Sequence, residues 1–510
     1  MRARRGALAA VLLLALTACA PAPADPPPSG PVAGRAGTSP APPPLGTGGA
    51  AVPELRWTPC HGSFQCAGAP VPLNYREPHG KTITLSVIRL PAKDPARRAG
   101  SLFVNFGGPG TDGVGELTRF GPHYPEHLRD RYDLVSFDPR GIGGSAPVSC
   151  PGAEEPKLEG SPLRPEQREA FYAAGAAVGR ACAAGSGELL NHLSTANTAR
   201  DMDLLRQAVG DRELNYYGYS YGTYLGGTYA NLFPGSVRSM VLDGTLDLVA
   251  NATGKPGQEH APVDVRADVA SAQQEELEHF FAVCAAAGPK CAFSQGDQRQ
   301  KFADIFAKLS QGPVGGVTLA SLLQQIDSAL YLSPRWKALG QTLNSLAASS
   351  AGAAAAHPPV LDPYVPVHTG GFLAVQCADS DNPRHPADYD RLAASEQARQ
   401  PYFGLAAVFS LTQCVDWPGH DADRYTGPWN RPRKNPILVL NNRFDPATPL
   451  ANARATAAQL GDGHVLVVDG AGHTSLDVPS TCASAAIGRY LDDLTVPAEG
   501  TTCPPDAQPF

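Results

Sequence analysis

Gly218-Tyr219-Ser220-Tyr221-Gly222 is a G-x-S-x-G pattern, placed between a short β-type run from Asn215 and a helix-compatible run reaching about Leu232. A strand that turns sharply into a helix at such a serine forms a nucleophile elbow. The turn lifts the hydroxyl clear of the backbone, and the flanking glycines let neighbouring chain approach closely. The chemistry is attack by Ser220 on an acyl carbon. In a chain with 53 glycines the pattern also arises by chance, with the serine in an ordinary tight turn. The flanks favour the elbow: Ala196 to Val209 has amphipathic helical spacing, and Val237 to Leu242 reads as a buried strand, so helix, strand, elbow, helix and strand form a parallel α/β unit.

Acyl transfer also needs two backbone N–H groups aimed at the developing oxyanion. One normally follows the nucleophile, here Tyr221. The other comes from a glycine-rich loop after an early strand, and Ser101 to Phe106 runs into Gly107-Gly108-Pro109-Gly110. Gly108 is the expected second donor and Gly107 the fallback, because Pro109 has no N–H. A general base and an acid that orients it are expected after late strands, in the order Ser, acid, His. Pro436 to Asn441 is followed by Asp445, and His464 to Asp469 by Gly472-His473. His473 is preferred over His464, which begins its strand and so stands at the wrong end of a parallel sheet. Asp445 is the expected acid, with Asp243 and Asp247 after the preceding strand as rivals. Asp138 and Arg140, in Asp138-Pro139-Arg140-Gly141, either brace the glycine loop or serve as a turn cap and a structural ion pair.

These positions require a mostly parallel sheet flanked by helices, the α/β-hydrolase arrangement, with core segments at 56–249 and 434–510. Val71 to Leu90 adds a hairpin ahead of the parallel strands. Between the core segments, residues 250–433 lose the strand-helix alternation. Helical spacing at Val269 to Ala287, at Gln298 to Leu309, in pieces over Leu319 to Ala347, and at Ala387 to Arg399 predicts a large, mostly helical cap inserted before the last two strands.

The N-terminus has arginines and then an apolar run from Ala7 to Ala18, shorter than the roughly 18 residues of a membrane span. Residues 1–19 read as an export signal whose end, Leu16-Thr17-Ala18-Cys19, matches a lipobox, with Cys19 as the lipidated residue. The alternative is ordinary cleavage near Ala20-Pro21-Ala22. Residues 20–55, rich in Pro, Ala and Gly, read as a disordered tether. The expected location is the outer face of the cytoplasmic membrane through that lipid, or secretion. With Cys19 set aside, ten of the 11 cysteines remain and fall into sequential pairs: Cys60 with Cys66, Cys150 with Cys182, Cys284 with Cys291, Cys377 with Cys414, and Cys482 with Cys503. Their spacing gives no zinc signature. A net charge of −7 and a pI near 6.0 leave no electrostatic footprint for nucleic acid. No metal or organic cofactor is required, and a monomer is expected.

Taken together, Gly107-Gly108-Pro109-Gly110, Asp138-Pro139-Arg140-Gly141, the serine pentapeptide, the helical insertion, Asp445-Pro446-Ala447-Thr448-Pro449 and Gly472-His473 resemble the secreted actinobacterial tripeptidyl aminopeptidase family, α/β-hydrolases related to prolyl aminopeptidases. The resemblance implies release of short peptides or single residues from free N-termini. One departure is Phe106, where prolyl aminopeptidases usually carry a histidine. An aminopeptidase needs negative charge for the substrate ammonium, and Glu116, Asp379 and Asp381 are the expected candidates. A carboxylesterase would use the same serine, acid and histidine. A non-catalytic cell-surface lipoprotein would need all three as relics.

Overall fold

The computed structural model describes residues 45–153, 162–349 and 368–510. Cys19, the export signal and most of the expected tether lie outside them. From Gly46 onward the chain is already held on the body: the Gly46 carbonyl accepts from Arg200 Nε at 3.1 Å, and Ala50 and Leu55 pack on the core. Residues 46–55, expected as part of a tether, therefore belong to the body, where buried Arg200 gives the chain a bond.

Among the described residues ten strands form one sheet: β1 (Thr58–Cys60), β2 (Phe64–Pro72), β3 (Thr82–Leu90), β4 (Gly100–Asn105), β5 (Tyr132–Phe137), β6 (Leu214–Tyr219), β7 (Val237–Asp243), β8 (Ile437–Phe444), β9 (Gly463–Ala471) and β10 (Thr502–Cys503), in the order β1-β2-β3-β5-β4-β6-β7-β8-β9-β10. The first three strands are antiparallel, as is the β3–β5 pair, and every pair from β5 to β10 is parallel. Parallel strands covered on both faces read as continuous apolar runs, and every residue of β4, β5 and β6 is buried.

The helices follow as α1 (Gly113–Phe120), α2 (Glu126–Arg131), α3 (Arg168–Ser186), α4 (Thr195–Ala208), α5 (Tyr221–Leu232), α6 (Leu248–Ala252), α7 (Val263–Arg266), α8 (Val269–Ala287), α9 (Gln298–Gln311), α10 (Leu319–Tyr331), α11 (Trp336–Ala348), α12 (Thr369–Asp379), α13 (Pro386–Arg399), α14 (Gly404–Phe409), α15 (Leu450–Leu460), α16 (Thr474–Asp477) and α17 (Thr481–Asp493). Alternate side chains of each strand point to opposite faces. Phe103, Tyr216, Met240 and Val439 join one core with α4 and α5, while Val104, Tyr217, Val241 and Leu440 join another with α1 and α17.

The insertion is helical, but it is not one separate layer. Helices α8 to α11 share their own core around Phe280, Phe302, Ile326 and Trp336. By contrast, Leu373, Cys377, Cys414, Trp417 and Trp429 belong to the main core. Several elements were not expected, among them a helix of the core and a last short strand. Helix α3, whose Ala- and Gly-rich sequence carries weak periodicity, packs Gly175 against Gln413 and Gly179 against Pro418. A third strand, β10, follows the two expected after the insertion; it has two residues, and the Cys482–Cys503 disulfide ties it to α17. All five sequential disulfides are formed.

Candidate active site

The C-terminal ends of β4, β6, β7, β8 and β9 lead respectively into Gly107, Ser220, Asp243, Asp445 and His473, so the parallel sheet gathers them along one edge. Ser220 has φ 53° and ψ −124°, a backbone conformation that side-chain-bearing residues rarely adopt. Close packing holds it there. A Cβ on Gly218 would come 2.3 Å from the Gly222 carbonyl oxygen, and one on Gly222 would come 2.8 Å from that of Asn105. Ser220 N–H donates to the Asp243 carbonyl at 2.8 Å, and the Tyr216 hydroxyl donates to the Gly222 carbonyl at 2.7 Å. Ser220 itself is only half-buried.

The glycine loop lies directly against this turn. A Cβ on Gly107 would come 2.8 Å from Ser220 Cβ and 3.3 Å from Tyr221 N. Gly107 N–H donates to Asn105 Oδ1 at 3.0 Å, so the fallback oxyanion donor is already engaged. Gly108 and Tyr221 N–H have no acceptor among the described residues. Phe106, the departure noted above, stacks on Phe120 and Tyr219 with centroids 5.9 and 6.0 Å away.

His473 Nδ1 lies 3.0 Å from each oxygen of Asp445. Asp445 Oδ1 also accepts from Ala447 N and Thr448 N at 3.0 and 2.8 Å, which fixes the carboxylate plane. Burial works against protonation of the imidazole, but the charge and hydrogen bond of Asp445 outweigh it and raise the His473 pKa above 6.5. Asn442 Nδ2 donates to the carbonyls of Gly472 and Thr474 at 2.8 and 3.0 Å, and His473 N–H donates to the Tyr331 carbonyl at 3.0 Å. The Tyr331 ring meets the imidazole edge-on at 5.1 Å. A Cβ on Gly244, one residue beyond the partner of Ser220 N–H, would come 3.1 Å from His473 Cε1. Ser220 and His473 thus flank the same end of β7.

The rival acid has another task. Asp243 accepts from Ser475 N at 3.1 Å and from the Tyr217 hydroxyl at 2.9 Å, and makes no hydrogen bond to His473. Burial lifts its pKa to about 6, against the lowering effect of those bonds. Asp247 caps α6 through Val249 N and Ala250 N and pairs with Lys255. His464 pairs with Leu438 at the start of β9, away from the site. Asp138 caps Val114 N and Gly144 N at 2.9 and 2.8 Å, and fully buried Arg140 pairs with Asp201 at 2.7 Å; a turn cap and a structural ion pair, respectively.

The three carboxylates expected to meet a substrate ammonium are already partnered. Asp379 accepts from Thr195 N at 2.9 Å and Thr195 Oγ1 at 2.5 Å, and that hydroxyl also meets the Tyr221 hydroxyl. Burial pushes the Asp379 pKa up to about 7, although the Thr195 bonds oppose it. Asp381 pairs with Arg424 at 2.6 Å, and buried Glu116 lies 3.9 Å from Arg119 on its own helix. No hydrogen bond joins any of the three to Ser220, His473 or Asp445 among the described residues. Sequence reasoning did not find Asn442 or Tyr331. The Asn441-Asn442 pair closing an apolar strand was the available signal for Asn442; Tyr331 is brought in by the insertion, whose packing leaves no local pattern.

Two family models match: one described as alpha/beta hydrolase fold over residues 107–285, and one described as TAP-like protein over residues 400–503. The chain is 30% identical to the tripeptidyl aminopeptidase of Streptomyces lividans over 474 residues, covering 88% of this chain and 84% of that protein. It is 28% identical to serine protease Hip1 of Mycobacterium tuberculosis over 495 residues, covering 88% and 91%. It is 30% identical to carboxylesterase B of M. tuberculosis over 493 residues, covering 89% and 90%. With the serine elbow and the histidine-carboxylate pair on one edge of a parallel sheet, these likenesses mean that the chain belongs to the tripeptidyl aminopeptidase family of α/β-hydrolases and is a serine hydrolase.

Proposed function

We propose that the protein is an exported aminopeptidase that releases tripeptides or other short peptides, or single residues, from free N-termini through an acyl-enzyme. The acyl-enzyme chemistry is carried by the two-oxygen hold of Asp445 on His473 Nδ1, beside a serine elbow with two unengaged N–H groups, and the action on free N-termini is supported by the likeness to tripeptidyl aminopeptidase. With Nδ1 taken, His473 Nε2 is the atom available as general base. It removes the Ser220 proton as Oγ attacks the peptide carbonyl, while Tyr221 and Gly108 N–H hold the oxyanion. His473 then protonates the leaving amine, and water activated by the same nitrogen releases the peptide. Asp445 keeps the ring oriented and stabilises the imidazolium. No step calls for a metal or an organic cofactor.

Five disulfides fit an oxidising compartment, which supports export. Lipidation at Cys19 would then attach the chain to the membrane, with residues 1–18 removed, Cys19 as the first residue of the mature chain and the following segment as a spacer. No described helix is long and apolar enough to cross a membrane. The second reading, a carboxylesterase acting through the same three residues, is favoured by the likeness to carboxylesterase B.

The test is a panel of a free-amine tripeptide anilide, a proline anilide, an N-acetylated tripeptide anilide and a short acyl ester, each with wild type and Ser220→Ala. Turnover confined to free-amine substrates and lost in the variant supports the aminopeptidase. Turnover of the ester alone supports the esterase.

A further inference from the structure

Helix α8 carries a carboxylate that the rest of the protein does not answer. Glu276 is 0% exposed, and neither of its oxygens has a hydrogen-bond partner among the described residues. An unpartnered buried carboxyl is costly, and an apolar side chain would pack beside Leu277 and Phe280 without that cost. Its retention therefore calls for a ligand.

The surroundings specify the sign of the charge. The ionisable groups acting most strongly on Glu276 are Asp445, after β8, and Asp327 of α10; with burial first, they raise its pKa well above 4.5. Asp327 is held by Gln273 Nε2 at 2.7 Å, and burial lifts its own pKa to about 6. From α7, Asp264 adds negative charge near Asp327, while Arg266 is engaged by the carbonyls of Asp381 and Asn251 and by Ser380 Oγ. From β8, Arg443 pairs with Asp469. Helix α14 brings no ionisable side chain, and Lys290 lies exposed beyond the far end of α8. On α8 itself Glu275 is exposed, Glu278 pairs with Arg299, and His279 stacks on Phe444 at 3.8 Å, with burial lowering its pKa. No protein cation is assigned to Glu276.

The cluster adjoins the reacting residues. Helix α10 ends at Tyr331, whose carbonyl and ring hold His473, and the His279–Phe444 stack lies next to Asp445. Asp327, Tyr331 and Ser220 are all half-buried rather than sealed. The carboxylates do not converge as metal ligands: among the described residues the one group within metal-sharing distance is Cys60, His61 and Cys66, whose sulfurs form a disulfide. Acids that do not share one point suit an organic cation rather than a metal ion.

We infer that Glu276, backed by Asp327, receives the free α-ammonium group of a peptide substrate beside Ser220, His473 and Asp445. This rests on the aminopeptidase reading. Burial beside two other acids disfavours the ionised form of Glu276 while no cation is present. When the ammonium seats, the carboxyl ionises, its proton leaves to solvent, and the pair is charge-matched. An N-acetylated peptide or a simple ester brings no cation and forms no such pair, so the site discriminates by the ion pair that only a free amine can make.

The test compares the full chain with Glu276→Gln and Asp327→Asn. The readout is the ratio of kcat/KM for a free-amine tripeptide anilide to that for its N-acetyl counterpart, with KM followed from about pH 5 to about pH 7 and Tm recorded in parallel. In wild type the ratio favours the free amine, and KM for that substrate falls as pH rises. Glu276→Gln is expected to lower the ratio about 10-fold or more through KM, to flatten the pH dependence of KM, and to leave Tm unchanged or higher, since it removes a buried carboxyl. If Tm falls instead, the same change of ratio in Asp327→Asn decides. A ratio within about threefold of wild type in both variants would show that the ammonium is held elsewhere, overturning this assignment while the aminopeptidase reading stands. If wild type cleaves the ester and neither peptide, the aminopeptidase reading falls, and this assignment with it.

Discussion

The backbone N–H of His473 donates to the carbonyl of Tyr331 at 3.0 Å, so the end of an insertion helix holds the histidine of the core. An antiparallel bridge between Leu332 and Gly472 extends the same contact. The insertion thus reaches the base directly, and the Tyr331 ring covers one edge of the imidazole.

The Asp445–His473 pair predicts a pH profile. Its raised pKa keeps the imidazole protonated, and inactive as a base, to a higher pH than a free histidine. kcat/KM should rise with pH through an ionisation whose midpoint lies above 6.5. In Asp445→Asn the largest raising influence is gone and burial is opposed only by the weaker pulls of Asp477 and Asp243, so the residual limb should move to lower pH, with activity down by about 10³–10⁴. An unmoved midpoint in the variant would assign the limb to another group.

Asn442 predicts a loss of positioning. Replacing it with Ala leaves the Gly472 carbonyl without its donor and the Thr474 carbonyl with Val478 N–H alone. The cost is about 1–3 kcal/mol of stability, and kcat should fall more than KM rises, because the loop that aims His473 loosens. Thermal melting and steady-state kinetics on one preparation check both; wild-type kcat with a lowered Tm would reduce Asn442 to a fold residue.

Asp379 predicts a pH-dependent stability. Its folded pKa of about 7 lies above the ordinary 3.8, so the folded state binds this proton more tightly than the unfolded state. The stabilisation is fully present below the unfolded value and is lost as pH rises through the folded one. The Tm of wild type minus that of Asp379→Asn should therefore decline between about pH 4 and about pH 8. A difference that stays constant over that range would contradict the buried, neutral carboxyl.

The Cys377–Cys414 disulfide, with a sequence separation of 37, joins α12 to the segment that carries Trp417 into the main core. Replacing both cysteines with Ser should cost about 3–4 kcal/mol by the chain-entropy relation, measured as a shift in denaturant midpoint at constant slope. A change below about 1 kcal/mol would mean that packing alone fixes this segment.

Much of the site was legible because its signals are local. A strained serine needs glycines on both sides, and a loop that touches that serine needs Gly107; these requirements leave a pattern within a few residues. The strands feeding the site were legible as apolar runs. What escaped depends on contacts between distant segments. Helix α3 forms because its small residues fit Gln413 and Pro418, not because of a strong stripe of its own. Asp379 and Asp381 gave no sign in sequence that Thr195 and Arg424 would occupy them, and Glu276 looks like one more acid in Gln273-Gln274-Glu275-Glu276 until its burial is known.

The most direct test of the central claim is covalent labelling with a small fluorophosphonate, followed by peptide mass mapping. This chemistry reports a serine activated by a neighbouring base, whatever the preferred substrate. One adduct on Ser220, abolished in Ser220→Ala and strongly slowed in His473→Ala and Asp445→Asn, is the predicted result. An adduct on a different serine, or a protein that hydrolyses its substrates while Ser220 stays unlabelled, would contradict the account.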